Sequence, residues 1–146
     1  MGCCVLPLFA LTPKNKMMKE LDVKKVSMAN IPVEAVPALL DEEKVAFQPV
    51  NTVNWTAYPY CPDVKFRIAY TDNAILIHYK VKEASVRAVA GKDNGPVWED
   101  ACVEFFSIPA GDGVYYNMEC NCVGRLLIGA GAGRSNRQHA QVGGQA

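Results

Sequence analysis

Val64-Lys65-Phe66-Arg67-Ile68-Ala69-Tyr70, then Thr71-Asp72-Asn73, then Ala74-Ile75-Leu76-Ile77-His78-Tyr79-Lys80-Val81-Lys82 is the stretch that decides the fold. Both arms alternate. Val64, Phe66, Ile68 and Tyr70 share one side of the first arm, and Ile75, Ile77, Tyr79 and Val81 share one side of the second. The Thr-Asp-Asn between them is turn chemistry, because short polar side chains bond their own backbone. The stretch therefore predicts a β-hairpin with one buried face.

Reading toward the C-terminus, Ser85 to Ala90 predicts a further strand, and Lys92-Asp93-Asn94-Gly95-Pro96 a turn. Val97-Trp98-Glu99-Asp100-Ala101-Cys102-Val103-Glu104-Phe105-Phe106 follows as a strand opening on an aromatic and several acids. Pro109 to Gly113 turns the chain, Val114 to Cys122 returns it, and Arg125 to Gly129 begins another strand. The Gly/Ala-alternating run Gly129 to Gly133 and the following Arg134-Ser135-Asn136-Arg137 read as flexible, with no strand after them.

Toward the N-terminus, Asn51 to Pro62 carries Trp55, Tyr58 and Tyr60 among prolines and reads as an aromatic-rich loop closing one end of the core. Lys44 to Val50 is short and extended. Val33 to Glu42 predicts one short helix after the break Asn30-Ile31-Pro32, with Asn30 as its candidate cap and Pro37 limiting its regularity. Leu21 to Ser27 alternates weakly, as a first strand would. Five or six strands at hairpin spacing and one helix near the N-terminus indicate an all-β, antiparallel β-sandwich. Because strands run out, an uncovered edge or half-open core is expected. Residues 1–16 read as a poorly structured extension, with Met17 or Met18 a plausible start, residues 17–137 as the sandwich domain and residues 138–146 as a flexible tail.

The bulk numbers narrow the function classes. A chain of 146 residues holds one domain with a core, not two. Its 15 basic and 15 acidic residues balance, which argues against nucleic acid or an anionic membrane as partner, since both call for a basic surplus. No apolar run is long enough to span a bilayer. The apolar start Met1 to Leu11 lacks the positive region of a signal peptide, and Leu6 stands where a myristoylation motif needs Ser or Thr, so localisation stays open between cytoplasm and export. Of the six cysteines, Cys3 and Cys4 lie in the leader. Cys61, Cys102, Cys120 and Cys122 form no C-x-x-C pair and read as small hydrophobes, with a Cys102–Cys120 bridge as the alternative.

Candidate chemistry gathers on Val114 to Cys122. Tyr116, Met118, Cys120 and Cys122 read as its core face, and Tyr115, Asn117, Glu119 and Asn121 as its other face. Glu104 joins that polar face if the two strands pair. Carboxylates and amides fixed on a sheet suit neighbouring hydroxyls, and Trp98 suits a ligand with an apolar face. Glu99, Asp100, Glu104 and Glu119 include the pair of carboxylates a glycosidase requires, but a sequence does not give their separation. His78 and His139 belong to no nucleophile motif, no helix follows the Gly129–Gly133 run as a phosphate cradle needs, and clustered zinc ligands are missing. Calcium is the one candidate ion, through Asp93, Asn94, Asp100 and Asp112 near turns.

The blocks Trp98-Glu99-Asp100 to Phe106 and Tyr115-Tyr116-Asn117-Met118-Glu119-Cys120-Asn121-Cys122-Val123-Gly124, with Asn54-Trp55 and the first hairpin arm, resemble the family 9 carbohydrate-binding modules, closest to stand-alone Bacteroidetes relatives. The likeness spans about residues 18 to 137. It implies a DOMON-like sandwich, often beside structural calcium, that binds a mono- or oligosaccharide of glucose or xylose type, or the reducing end of a glucan or xylan, in polysaccharide breakdown. It implies Trp98 as a stacking ring, Glu104 as a carboxylate and Arg125 as a guanidinium on the sugar hydroxyls. The family's second ring comes from a later strand that is not expected here, so the chain reads as shortened, with half of the clamp missing. The same likeness leaves two other readings: a haem-binding electron-transfer domain using His78 and Met118, and an accessory domain of a glycoside hydrolase. Oligomeric state is undetermined by the sequence.

Overall fold

In the computed structural model, which describes residues 20–28 and 30–140, the central hairpin forms as the alternation predicts. The elements are β1 (Lys24–Lys25), α1 (Val36–Glu42), β2 (Gln48–Pro49), β3 (Asp63–Tyr70) and β4 (Ile75–Lys82), then β5 (Cys102–Ser107), β6 (Tyr115–Asn121), β7 (Leu126–Gly131) and β8 (Arg137–His139). The first group builds one sheet around β3. β4 runs antiparallel along the whole of β3, from Asp63 opposite Lys82 to Tyr70 opposite Ile75. β1 (parallel) and β2 (antiparallel) share the other edge of β3. The second group is an antiparallel meander in the order β5-β6-β7-β8. Two sheets and one short helix make the expected β-sandwich. The Tyr79 hydroxyl joins the sheets, donating to the Glu104 carbonyl at 3.2 Å. The extension 1–16 with Cys3 and Cys4, the alternative starts Met17 and Met18, and residues 141–146 of the tail lie outside the described residues.

The hairpin turn works through Thr71. Its Oγ1 accepts from the backbone N–H of Asn73 and Ala74 and donates to Asn73 Oδ1, while its own N–H donates to the Ala74 carbonyl. The burial of the hairpin departs from expectation. Val64, Phe66, Ile68, Ile77 and Tyr79 are half-buried, and Tyr70, Ile75 and Val81 are exposed. The opposite side is the tighter one: Ala69 and Leu76 form a closed cluster with Val26 and with Val36 and Leu40 of α1. The helix on that side brings two acceptors to Arg67. Arg67, 3% exposed, donates from NH1 to Asp41 Oδ1 at 2.6 Å and from NH2 to the Pro37 carbonyl at 2.8 Å. Its Nε lies 3.2 Å from His78 Nδ1, and its guanidinium sits 4.5 Å above the Phe47 ring. A buried guanidinium without such partners would cost several kcal/mol, about 3–5 by analogy with broken buried pairs. Pro37 is compatible with α1 because it occupies the first turn, where its missing N–H has no helical acceptor. Asn30 does not cap the helix. It takes a left-handed conformation (φ 54°) and turns the chain two residues before Pro32, where the capping position stands without a side-chain bond.

Four further expectations are corrected. Leu21–Ser27 pairs only at Lys24–Lys25. Ser85–Ala90 is not a strand; its backbone is bonded by Asp100 and Ala101 instead of by a neighbouring strand. Val97–Glu99 is a 3-10 turn, and strand pairing starts only at Cys102. Beyond Gly129 the chain does not loosen. β7 continues to Gly131, and β8 adds a strand at Arg137–His139, where the flexible tail was expected to begin. The glycines make this return. A Cβ on Gly131 would stand 1.9 Å from the Asn136 carbonyl oxygen, so the chain can fold back here only past a residue without a side chain. Among the described residues no helix is long and apolar enough to cross a membrane.

His78 ties this half of the fold to pH. Burial first, then the charges of Arg67 and Lys80, hold its imidazole below the ordinary value of 6.5, against a smaller opposite pull from Asp41. Neutral His78 offers Nδ1 as an acceptor to Arg67, and protonation would remove that acceptor beside two cations. The folded value is the depressed one, so the unfolded chain takes up the proton first. Stability is complete above the ordinary histidine value and declines as pH falls through the depressed one. Urea midpoints measured from about pH 7.5 down to about pH 5 fall in the native chain, and His78→Gln, which keeps an acceptor but does not titrate, shows a flatter profile.

Candidate functional site

The register of the second sheet decides which side chains meet. Glu104 stands opposite Glu119, Phe106 opposite Asn117 and Cys102 opposite Asn121. Across β7, Glu119 faces Leu127, Asn117 faces Gly129 and Tyr115 faces Gly131, and on β8 Gly131 is met by Arg137 and Gly129 by His139. One side of the sheet thus carries Cys102, Glu104, Phe106, Tyr115, Asn117, Glu119, Asn121, Leu127, Arg137 and His139, because alternate residues of paired strands share a side. This polar side is the more buried one along β6. Asn117, Glu119 and Asn121 are 2%, 5% and 4% exposed, whereas Tyr116 and Cys122 are exposed and Met118 and Cys120 half-buried. The expectation that Tyr116, Met118, Cys120 and Cys122 form the closed face is therefore corrected: a loop covers the polar side.

That loop runs from Glu83 to Ala101, and Asp100 anchors it. Its carboxylate is enclosed, accepting from Val89 N–H at 2.8 Å, Ala90 N–H at 2.9 Å and Asn121 Nδ2 at 2.9 Å. The Val89 bond is the largest influence holding the acid below its ordinary range; burial opposes it, and the Ala90 and Asn121 bonds and the Arg87 charge act with it. Asn121 turns its Oδ1 the other way, to Val123 N–H at 3.1 Å and Arg125 N–H at 2.8 Å. One amide thus joins the loop to the β6–β7 turn. Val97, fully buried, packs with Ala90, Leu127 and Cys102 over the end of the polar side. Asp93 and Asn94 complete the free edge of β7: Asp93 Oδ1 accepts from Leu126 N–H and Asn94 Oδ1 from Ile128 N–H. This lattice fixes Trp98, one residue after the buried Val97, in a turn packed over β5 and β6, with the residue 55% exposed.

Farther along β6 the same side carries Asn117 and Glu119, both buried. Asn117 Nδ2 donates to Glu119 Oε1 at 2.9 Å. Among the described residues, Asn117 Oδ1, Glu119 Oε2 and Arg137 NH1 are buried without a hydrogen-bond partner. Burial, then the neighbouring Glu119 charge, raises the Glu104 carboxyl above its ordinary range, opposed by Arg134 and Arg137. Phe106 and Tyr115 stack at the far end, with ring centroids 5.8 Å apart. Two shallow recesses of about 190 and 160 Å³ lie instead beside β1 and α1 on the first sheet, lined by residues such as Lys24, Lys44 and Ile68 or Val26 and Leu39.

The expected site residues thus divide. Glu104, Asn117 and Glu119 share the polar side of the sheet, and Trp98 lies in the turn packed against β5 and β6. Asn121 is spent on the loop and turn. Arg125 is exposed on the β6–β7 turn, held by its backbone, and the guanidinium groups acting on Glu104 belong to Arg134 and Arg137. The sequence reading missed these two because it took the chain after Gly129 as flexible. The signal available was the Gly-x-Gly spacing of Gly129 and Gly131, which opens one side of a strand. The calcium candidates Asp93, Asn94, Asp100 and Asp112 each accept a backbone N–H on a side-chain oxygen. Among the described residues no three His, Cys, Asp or Glu side chains group as metal ligands. His78 and Met118 lie on different sheets, with His78 Nδ1 engaged by Arg67, so the haem ligand pair is not assembled. Cys102 and Cys120 point to opposite sides of their sheet, which rules out the bridge between them. The Cys102 thiol is pushed up to about 12, by burial first and then by Glu104 and Glu119, so it stays protonated.

The model of carbohydrate-binding family 9 matches residues 34–143. A crystal structure described as that of a candidate carbohydrate-binding protein from Bacteroides uniformis ATCC 8492 is similar, with 60% sequence identity and a TM-score of 0.78. The match covers 84% of this chain and 56% of that one, so this chain spans little more than half of that protein's length. Curated proteins give no match.

Asn121→Ala removes the amide from Asp100 and leaves two backbone donors without their acceptor. The expected loss is about 2 kcal/mol, read as a lower denaturation midpoint. An unchanged midpoint would show that the loop and turn hold without it.

Proposed function

The chain belongs to carbohydrate-binding family 9, and from that premise we propose that the polar floor of the second sheet binds a glucose- or xylose-type sugar, or the reducing end of a glycan, as a non-catalytic step in polysaccharide breakdown. The observation that carries this reading is the exposed Trp98 beside a sheet floor of carboxylates and amides. A pyranose has an apolar face that stacks on an indole and a rim of hydroxyls that need both donors and acceptors. Glu104, Glu119 and Asn117 meet the rim. They stand on paired strands, so their spacing is set by the ladder and costs little ordering on binding. Phe106 and Tyr115 offer a second apolar surface at the other end of β5, about 13 Å from Cys102 along the strand.

Within this chain the reading rests on the exposed indole of Trp98 and the polar groups of the second sheet.

Trp98 and Trp55 are the chain's 2 tryptophans, so Trp55→Phe leaves the ring at position 98 as the sole indole reporter. Titration with glucose, xylose and cellobiose is expected to change its fluorescence. Trp98→Ala is expected to weaken binding at least about tenfold by calorimetry, with an unchanged melting temperature because the ring is exposed. Equal binding by Trp98→Ala would remove the indole from the site.

A further inference from the structure

The aromatic loop expected to close one end of the core stands outside it. Every residue from 51 to 61 is exposed. Trp55, Tyr58 and Tyr60 are 69%, 77% and 62% exposed, each more than Trp98. The loop is nonetheless held. The Tyr58 N–H donates to the Trp55 carbonyl at 3.0 Å, and the Tyr60 hydroxyl accepts from the Ala84 N–H at 3.1 Å. Pro59 and Pro62 fix their own φ. The Tyr60 bond ties the loop to the segment that carries Val86, which is exposed, and Val50 and Val53, also exposed, precede the rings. No Asp, Glu, Lys or Arg occurs from residue 51 to residue 62. The loop thus presents an uncharged, aromatic surface that is ordered before anything touches it.

We propose that this surface joins two copies of the chain about a two-fold axis. The proposal stands apart from the sugar reading and uses none of its residues. A buried Trp or Tyr covers about 150–250 Å², so the three rings at these exposures offer on the order of 400 Å². The exposed valines raise this toward the ~800 Å² that each partner of a standard interface buries. Apolar patches of such size mark interaction surfaces, and interface centres are rich in Trp and Tyr and poor in charge. The loop also says which partner fits. Pro59-Tyr60-Cys61-Pro62 has the spacing by which proline segments dock on aromatic surfaces, and the aromatic surface is part of the same loop. A two-fold axis needs one surface that complements itself, and this loop supplies both the rings and the prolines. Without charge it has nothing to repel its own copy and nothing to steer in a charged partner. Because the loop is already ordered, association loses little loop entropy, and an interface at the small end of the standard range gives a dissociation constant on the order of micromolar.

The test is sedimentation equilibrium of the full chain from about 1 to about 500 μM, with Trp55→Ala, Tyr58→Ala and Val33→Ser, the last an exposed apolar residue before α1. The native chain is expected to pass from monomer to dimer mass across that range. Trp55→Ala and Tyr58→Ala each raise the dissociation constant at least about tenfold, with the native circular dichroism because both rings are exposed. Val33→Ser dimerises like the native chain. A second measurement uses Trp98→Phe, in which Trp55 is the sole indole. Dilution is expected to move its emission to longer wavelength as the ring returns to water. A chain that stays monomeric throughout, with emission independent of concentration, overturns the proposal. A dimer that Trp55→Ala and Tyr58→Ala leave unchanged overturns it by placing the interface elsewhere. Loss of cellobiose binding in Trp55→Ala, with no change in mass at any concentration, overturns it by making the loop a ligand surface.

Discussion

The structure depends on one unusual burial: β6 turns its amides and its carboxylate, not its thioether and thiols, toward the covered side of the sheet. Hidden polar groups are stabilising only when each finds a partner, and a single unmet acceptor costs about 1–3 kcal/mol. At one end of β6 the condition is met. Asn121 and Asp100 exchange a hydrogen bond and between them collect four backbone N–H groups. That knot replaces the strand expected at Ser85–Ala90, since the backbone of Val89 and Ala90 is satisfied by a carboxylate and needs no ladder. At the other end the condition is not met among the described residues, where Asn117 Oδ1, Glu119 Oε2 and Arg137 NH1 lack a hydrogen-bond partner. The same strand is a structural anchor at one end and carries the proposed site at the other.

Two small clusters hold the two sheets, one beneath α1 and one beneath the turn that bears Trp98. Each uses a loop or helix as a lid over a side of its sheet that also carries polar groups. Arg67 and Asp100 play matching parts: each is a charged group enclosed by its lid, and each draws on the backbone of that lid. Charges enclosed in this way add little net stability over apolar replacements but make the lid's position specific. For Trp98 that specificity has a functional meaning. An exposed ring on an unanchored loop would lose ordering entropy on binding, and the enclosed Asp100 removes much of that cost in advance.

The sequence made some of this legible. The hairpin, the β6 alternation and the acids near Trp98 all follow from period-two reading and turn chemistry. What alternation could not supply was which side faces inward. Met118, Cys120 and Tyr116 look like core by hydrophobicity, and nothing local says that Asp100, some twenty residues from Asn121, will enclose the opposite side. Val97–Glu99 lost its strand because Val97 is drawn into the cluster with Leu127, a contact too distant in sequence to see. Arg137 was hidden by composition: a Gly-rich run reads as loose chain, whereas here each glycine clears a path for a neighbour. The resemblance to a known family nominated Trp98 and Glu104, and the register places Glu104 opposite Glu119, which no single strand reveals.

The proposed sugar site joins Trp98 to the Glu104, Asn117 and Glu119 side of the second sheet. NMR of the native chain during titration with cellobiose reads its occupancy. The Trp98 indole and the Asn117 side-chain amide resonances are expected to shift together and saturate at one concentration, while His78 and Trp55 stay in place. Shifts confined to the first sheet, or to the aromatic loop of Trp55, Tyr58 and Tyr60, would contradict it.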